Sequence, residues 1–313
     1  MIEVIKPGLI SSFQDLGRWG HQPLGVPVSG AMDEVSHRLA NLAAGNAESE
    51  ATLELTMMGP TLRFECDAVL AWAGADLSPA LDGVPVPVLR ATAVNAGAML
   101  QFGKRVAGLR TYLAVQGGFA LTPVMGSTST YARAGFGGHE GRALRKGDRV
   151  GLNAAGASNM PAPLPPAPLR VLGSPVLDAP IRLLRGREWS HFGASAQQTL
   201  VAQPWRIGAQ SERMGYRLEG PVLERTARGD ILSEAVAFGT MQVPPDGQPI
   251  VLMAERQTTG GYPKIAQVAS IDLPRLAQRA PGETLRFAMI ELDAAQALLL
   301  EREQALQALR EGR

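Results

Sequence analysis

Glycine and proline interrupt this chain so often that most of it can form only short regular elements. The 313-residue sequence holds 35 glycines and 23 prolines, and both residue types end strands and helices and favour tight turns. Short apolar runs between them predict strands at residues 68–75, 110–115, 170–172 and 250–254. Because regular helical patterns do not alternate with these runs, we expect a mainly β fold with barrel-like architecture.

Three segments differ from this pattern of short strands. Residues 84–88 alternate valine with proline, which is typical of an edge strand or an extended loop. Residues 33–44 predict a helix that Asp33 can cap and that stops at Gly45. A last helix is predicted after Asp293, its candidate cap, from a one-sided stripe of Ala295, Leu299, Leu306 and Leu309. We interpret this stripe as a face that docks onto the body of the protein.

A proline-rich stretch divides the chain. Residues 153–168 combine prolines with alanines and carry no charge, a composition that favours an extended spacer. We therefore expect an N-terminal β-rich domain over residues 1–152, a linker over 153–168, a C-terminal β-barrel over 169–290 and a final helix over 291–313. Both halves have the size of an ordinary domain.

Composition excludes several classes of function. The net charge is +1 and no dense basic run is present, so neither nucleic acid nor a membrane surface is an expected partner. A single cysteine, Cys66, cannot form an internal disulfide. The first residues do not resemble a signal peptide, and no apolar run reaches the length of a membrane helix. We expect a cytoplasmic protein.

Common local motifs of catalysis are missing from the sequence. No P-loop and no G-x-S-x-G elbow occur, and the histidines lack the spacing of a zinc motif, so no metal site is predicted. The glycine-rich residues 135–141 have two interpretations, a backbone cradle for an anion or a loop between strands. The second is slightly favoured.

Two segments have the polar and glycine content of a binding site. In residues 12–33, glycines surround Arg18, which can hold a carboxylate or phosphate or can pair with Asp15. In the same segment Ser29 and Asp33 can cap the following helix. In residues 211–217, Arg213 and Tyr216 can present a fork and a ring to a planar anion. A strand with alternating exposed charges explains that second segment equally well.

The third segment, residues 251–266, is the most informative. An apolar strand leads into a polar, glycine-containing stretch and then into a second apolar strand. A simple hairpin turn is usually shorter and has fewer hydrogen-bonding groups. Both signs of charge and neutral donors come together here, in Glu255, Arg256, Gln257, Thr258, Thr259 and Lys264. Such a mixture can bind a carboxylate, an amide and a phosphate together, although a solvated loop is the alternative.

Several long motifs resemble those of one known family. They are residues 14–18 (QDLGR), 25–33 (GVPVSGAMD), 211–217 (SERMGYR), 242–249 (QVPPDGQP) and 256–264 (RQTTGGYPK). The chain is similar from about residue 5 to residue 287 to the allophanate hydrolase subunit 2 family, also described as biotin-dependent carboxyltransferases. That family includes the C subunit of 5-oxoprolinase and the KipA proteins. In one departure, Ala235 follows Glu234 where the family usually has glycine.

The resemblance implies a cyclophilin-like β-barrel architecture in two halves with a few helices. It implies a subunit of an ATP-dependent 5-oxoprolinase that opens 5-oxoproline to L-glutamate, with a subunit 1-like (KipI-like) protein and a LamB/YcsF-type subunit as partners. ATP would act at the level of the complex, and biotin would be used only if another protein carried it. The alternatives are a biotin-dependent carboxyltransferase for urea or a related amide, and a non-catalytic KipA-like regulator.

Residue type and loop context then suggest roles for individual side chains. Lys264 is the first catalytic candidate, and Glu234 or Glu255 is the candidate for proton transfer. We expect the substrate to contact Arg18, Arg213, Tyr216, Arg256, Gln257, Thr258 and Thr259.

Overall fold

The computed structural model describes residues 1–153, 160–166, 179–227 and 231–312. The predicted strand at 170–172 and half of the predicted linker, residues 154–159 and 167–168, lie outside this part of the chain, so the domain boundaries stay a prediction. Chain contacts define two compact units. The first unit comprises Met1–Trp19, Ser29–Leu172 and Ala305–Arg313, and the second comprises Gly20–Val28 and Gly173–Gln304.

In its described residues, the first unit has two antiparallel sheets, a helix that follows its second strand and the end of the C-terminal helix. Its elements are β1 (Ile2–Lys6), β2 (Ile10–Gln14), α1 (Glu34–Ala44), β3 (Thr52–Thr56), β4 (Thr61–Phe64), β5 (Ala68–Asp76), β6 (Ala80–Leu81), β7 (Val84–Pro85), β8 (Thr92–Val94), β9 (Met99–Gln101), β10 (Ala107–Val115) and β11 (Arg149–Val150). The strand orders are β11-β1-β4-β9-β6-β7 and β2-β3-β10-β5-β8. Residues from both sheets form one apolar core that includes Val4, Phe64, Leu70 and Leu113.

Several predictions for this unit are confirmed. Strands β5 and β10 occupy the two predicted runs, and β7 is an edge strand, as the valine–proline alternation indicated. Helix α1 begins after Asp33, whose side chain accepts a hydrogen bond from the Ser36 backbone N–H at 3.0 Å. It ends at Gly45, whose φ of 83° is left-handed, a conformation that glycine adopts without strain.

The second unit is a nearly closed barrel. Its elements are β12 (Ile181–Arg185), α2 (Ala194–Ala202), β13 (Trp205–Ile207), β14 (Gly215–Glu219), β15 (Glu234–Ala235), β16 (Thr240–Gln242), β17 (Ile250–Leu252), β18 (Thr259–Gly260), β19 (Lys264–Val268), α3 (Leu273–Ala277), β20 (Thr284–Leu285), β21 (Phe287–Met289) and α4 (Leu292–Glu311). Short 3₁₀ turns occur at Gln22–Leu24, Trp189–His191 and Ser270–Asp272. Strands β15 and β18 form a separate two-stranded ribbon.

Chain connectivity explains how the eight-stranded sheet closes. Its order is β20-β13-β14-β17-β16-β19-β12-β21, so β20 and β21 are its two edges. Only Arg286 separates these strands in the sequence, which brings the two edges together. The expectation of a mainly β, barrel-containing fold in two halves with a few helices is confirmed.

The final helix differs from its prediction in one detail. Helix α4 begins at Leu292, so Asp293 lies in its first turn instead of capping it. From Ala305 onward the helix belongs to the first unit, where Leu306 and Leu309 are buried in an apolar cluster with Leu39 and Leu42 of α1. The stripe therefore docks onto the body, as predicted. Within the described ranges, no helix has the length and apolar character needed to cross a membrane.

His37 makes the stability of the first unit dependent on pH. The ring is fully buried on α1, and its Nδ1 lies 2.8 Å from Thr52 Oγ1. Burial lowers the pKa of His37 to about 4, whereas in the unfolded chain it is near 6.5. Between these two pKa values the unfolded chain binds more protons than the folded chain. The free energy of unfolding is therefore highest above pH 6.5, as far as His37 is concerned, and it falls as the pH falls toward 4.

We expect a loss of about 3 kcal/mol in the free energy of unfolding across that range. Urea unfolding between pH 7.5 and 4.5 measures it, with the non-titrating variant His37→Gln as the matched control. The control should show a clearly flatter pH dependence. Parallel curves for the two proteins would contradict a neutral buried imidazole.

Candidate functional site

The polar residues of the 251–266 segment lie where β19 begins in the second unit. Lys264 is the first residue of β19 and lies directly opposite Gln242 of β16. One extra residue, Ile265, separates this pair from the next pair, Met241 and Ala266. Such a β-bulge re-aims neighbouring side chains and is frequent beside active sites.

Lys264 is a buried cation held between two carboxylates. Its side chain is 9% exposed, and Nζ lies 2.8 Å from Glu234 Oε1 and 3.7 Å from Glu188 Oε2. Glu188 also accepts a hydrogen bond from the Lys264 backbone N–H at 2.9 Å and donates its own N–H to the Lys264 carbonyl at 3.1 Å. Glu188 therefore contacts both the backbone and the side chain of Lys264.

Glu234 connects this cation to the protein surface. It lies on the ribbon strand β15, is about one third exposed and also pairs with the exposed Arg187. The hydrogen bond with Lys264, aided by the nearby charge of Arg187, lowers the pKa of the Glu234 carboxyl. Glu234 is therefore a carboxylate at neutral pH.

A second ion pair joins the other two charged candidates of this unit. Arg213 Nε lies 2.6 Å from Glu255 Oε1, and both residues are largely buried. The Glu255 backbone N–H also donates to the Arg213 carbonyl at 2.8 Å. Each side chain thus neutralises the other, and their predicted roles in proton transfer and substrate binding stay predictions.

Arg256 has a different environment, because its buried charge has no carboxylate partner among the residues that the structure describes. It is 8% exposed, and no carboxylate of the described residues lies within 4.0 Å of its guanidinium. It makes long hydrogen bonds to the carbonyls of Val236 (3.3 Å) and Met253 (3.4 Å) and lies 5.9 Å from the Phe238 ring. Burial lowers the pKa of Arg256 to about 10. A buried cation without a counter-ion is a fitting site for an anionic ligand group.

The neutral candidates of the loop are more exposed. Gln257 and Thr259 are exposed and Thr258 is half-buried. Thr259 pairs with Ala235 in the β15–β18 ribbon. Ala235 has neither a positive φ nor a buried side chain, so the methyl group that replaces the usual family glycine is accommodated.

Tyr216 lies in the barrel interior. It is 1% exposed on β14, and its hydroxyl donates toward the carbonyls of Arg279 (3.2 Å) and Ala277 (3.5 Å). These contacts satisfy the hydroxyl within the chain, and the role of Tyr216 in substrate binding stays a prediction.

Arg18 belongs to the first unit, and its guanidinium donates hydrogen bonds to backbone carbonyls of that unit. It is 1% exposed and donates to the carbonyls of Val124 at 2.8 Å and Ser129 at 2.9 Å. Asp15 accepts hydrogen bonds from Ser127, Thr128, Ser129 and Gly17. Burial alone would raise the pKa of Asp15, but these hydrogen bonds outweigh it and lower the pKa. The role of Arg18 in substrate binding stays a prediction.

Three residues of the Lys264 environment were not among the sequence candidates. Arg187 and Glu188 lie just after β12, separated from it by Gly186, and Gln242 ends β16. The adjacent opposite charges after a strand were a weak signal for the first two. Gln242 stood at the start of a family motif, but no local pattern distinguished it from an ordinary strand residue.

Known proteins with similar sequences include subunits of enzymes. A family model described as "Carboxyltransferase domain, subdomain A and B" matches residues 24–289. The chain is 38% identical over 295 residues to the C subunit of 5-oxoprolinase from Escherichia coli, covering 94% of this chain and 93% of the relative. It is also 38% identical to the C subunit of 5-oxoprolinase from Haemophilus influenzae, with 99% and 98% covered.

Longer multi-domain proteins contain a similar region. The crystal structure of the Kluyveromyces lactis urea amidolyase matches with a TM-score of 0.90 and 29% identity, over 98% of this chain but only 20% of that protein. The urea amidolyase of Lachancea kluyveri is 30% identical, and 18% of its length is covered.

Proposed function

Because the chain belongs to the carboxyltransferase domain family, subdomains A and B, we propose that it is a subunit of an ATP-dependent 5-oxoprolinase that opens 5-oxoproline to L-glutamate. The observation that carries this proposal is the 38% identity, over nearly the whole length, to the C subunits of two 5-oxoprolinases. The urea amidolyases are less similar, at 29–30% identity. The proposed partners are a subunit 1-like protein and a LamB/YcsF-type subunit, in the cytoplasm.

The charges around Lys264 suit the chemistry of lactam opening. A lactam carbonyl is a poor electrophile, and ATP bound by the complex would supply the phosphoryl group that activates its oxygen. Lys264 would stabilise negative charge at that oxygen, since a buried ammonium acts strongly where water is excluded. Arg256 has no carboxylate partner in the described part of the chain and fits the carboxylate of 5-oxoproline.

Glu234 has two roles in this proposal. In the resting site it forms the 2.8 Å ion pair with Lys264. When Lys264 turns toward the substrate oxygen, the largest cause of the lowered pKa is removed, and Glu234 becomes able to accept a proton from the attacking water. Glu234 then gives this proton to the ring nitrogen as the C–N bond breaks, which leaves an amine and an acyl phosphate. A second water hydrolyses the acyl phosphate to glutamate and phosphate.

Co-expression of the chain with the two partner subunits tests this function. We expect ATP-dependent release of glutamate from 5-oxoproline by the full complex and none when this chain is omitted. Equal glutamate release without this chain would refute a catalytic contribution. A chain that binds its subunit 1-like partner but never supports turnover would instead be a KipA-like regulator.

The carboxyltransferase alternative is favoured by the TM-score of 0.90 to the urea amidolyase. In that case a separate biotin carrier would have to supply the carboxyl group. The same preparation, given carboxylated biotin carrier and urea, distinguishes the two activities: transfer of the carboxyl group to urea without glutamate release would replace the first proposal.

A further inference from the structure

The carboxamide of Gln242 is almost fully buried, yet its contacts within the chain are long. The residue is 1% exposed. Its Nε2 donates to the Tyr262 carbonyl at 3.4 Å, and its Oε1 accepts from Gln257 Nε2 at 3.5 Å. Protein N–H···O hydrogen bonds are usually 2.7–3.2 Å long, and buried polar groups are normally well satisfied. Gln242 therefore retains capacity for a better partner.

The position of this amide connects it to the Lys264 site. Gln242 lies directly opposite Lys264 in the β16–β19 register, and directly opposed residues share one face of a sheet. Gly260 packs against the amide, because a Cβ there would lie 2.5 Å from Gln242 Nε2. Gly260 pairs in turn with Glu234, the ion partner of Lys264. One amide thus borders the ion pair to which we assign the chemistry.

We propose that Gln242 recognises the amide edge of a cyclic substrate through two hydrogen bonds. A five-membered lactam holds its N–H and C=O on the same edge, because the ring fixes the amide in the cis form. A carboxamide has the complementary pair, an oxygen that accepts from the ring N–H and an NH₂ group that donates to the ring C=O. This inference rests on the proposed function and assigns its substrate specificity to Gln242.

Combining a substitution at Gln242 with removal of the ring N–H from the ligand tests this contact. In the reconstituted complex, N-methyl-5-oxoproline lacks the ring N–H and serves as a competitor, and its inhibition constant is compared with the KM for the unmethylated lactam. We expect N-methylation to weaken binding about tenfold in the wild type. In Gln242→Met we expect the KM for the unmethylated lactam to rise about tenfold, with no further loss on N-methylation.

The matched control is Gln248→Met. Gln248 exchanges hydrogen bonds of 3.0 and 3.1 Å with the Gly220 backbone, so its loss should affect the thermal midpoint and leave the N-methyl discrimination unchanged. A thermal unfolding curve confirms that Gln242→Met is folded. An equal N-methyl effect in wild type and Gln242→Met would overturn the inference while the proposed function stands.

Competition by biotin is the last measurement, because the ureido ring of biotin has a similar N–H and C=O edge. Competition by biotin that depends on Gln242, with no N-methyl effect on 5-oxoproline analogues, would overturn the assignment to a lactam. Absence of glutamate release from the wild-type complex would refute the proposed function itself, and this inference with it.

Discussion

Replacement of Lys264 by methionine should reduce glutamate release by the reconstituted complex by a factor of about 10² to 10³. This is the usual effect of removing one preorganised group that stabilises charge in a transition state. Methionine keeps the apolar length of the side chain and removes the ammonium, which lies 2.8 Å from Glu234 and 3.7 Å from Glu188. The loss should appear in kcat, because the negative charge that Lys264 would stabilise develops only after the bound lactam is phosphorylated and attacked by water.

Stability has to be separated from chemistry in this variant. Removing Lys264 leaves the buried Glu188 with the exposed Arg187, 3.8 Å away, as its remaining ion partner among the described residues. Breaking a buried ion pair costs up to about 3–5 kcal/mol. The double variant Lys264→Met with Glu188→Gln removes both charges and should recover most of the lost stability without recovering activity. The exposed Lys146 gives the control variant Lys146→Met, which should behave as wild type. Activity near wild type in the folded double variant would remove Lys264 from the mechanism.

The placement of Lys264 shows how far the sequence alone could be interpreted. The change from an apolar strand to a polar, glycine-containing segment indicated a site near residues 251–266, and Lys264 and Arg256 are both buried there. Glu234 was suggested by the family motif, and it is the carboxylate that lies against Lys264. Local composition is therefore informative where a loop carries more charge than a connection requires.

The partners of these residues depend on long-range pairing that local patterns do not encode. Glu188 reaches Lys264 because β12 pairs with β19, 76 residues away in the sequence. Gln242 reaches the same place through the β16–β19 register, and a shift of one residue would turn it to the other face. The strand prediction for residues 250–254 extended too far, because β17 ends at Leu252 and the two apolar residues that follow are buried outside the ladder.

Replacement of Arg256 by methionine should weaken the binding of 5-oxoproline by about 10- to 100-fold while the fold is retained. The guanidinium is buried without a carboxylate partner in the described structure, and burial lowers its pKa to about 10. A cation kept in such a place reduces stability by its desolvation, which an anionic ligand would offset. A charge-assisted hydrogen bond contributes about 1.5–3 kcal/mol, and this range gives the expected weakening.

Replacing Arg256 should have a large effect on substrate binding and a small effect on stability. Methionine removes the cost of the buried charge but leaves the carbonyls of Val236 and Met253 without their long hydrogen bonds, so the free energy of unfolding should change by less than about 1 kcal/mol. Arg256→Lys keeps the charge without the fork and should lie between wild type and Arg256→Met in its KM. The competitor 2-pyrrolidinone lacks the carboxylate, so its inhibition constant should be the same in all three proteins. A large loss of stability with an unchanged KM would show that Arg256 supports the fold and that the substrate carboxylate binds elsewhere.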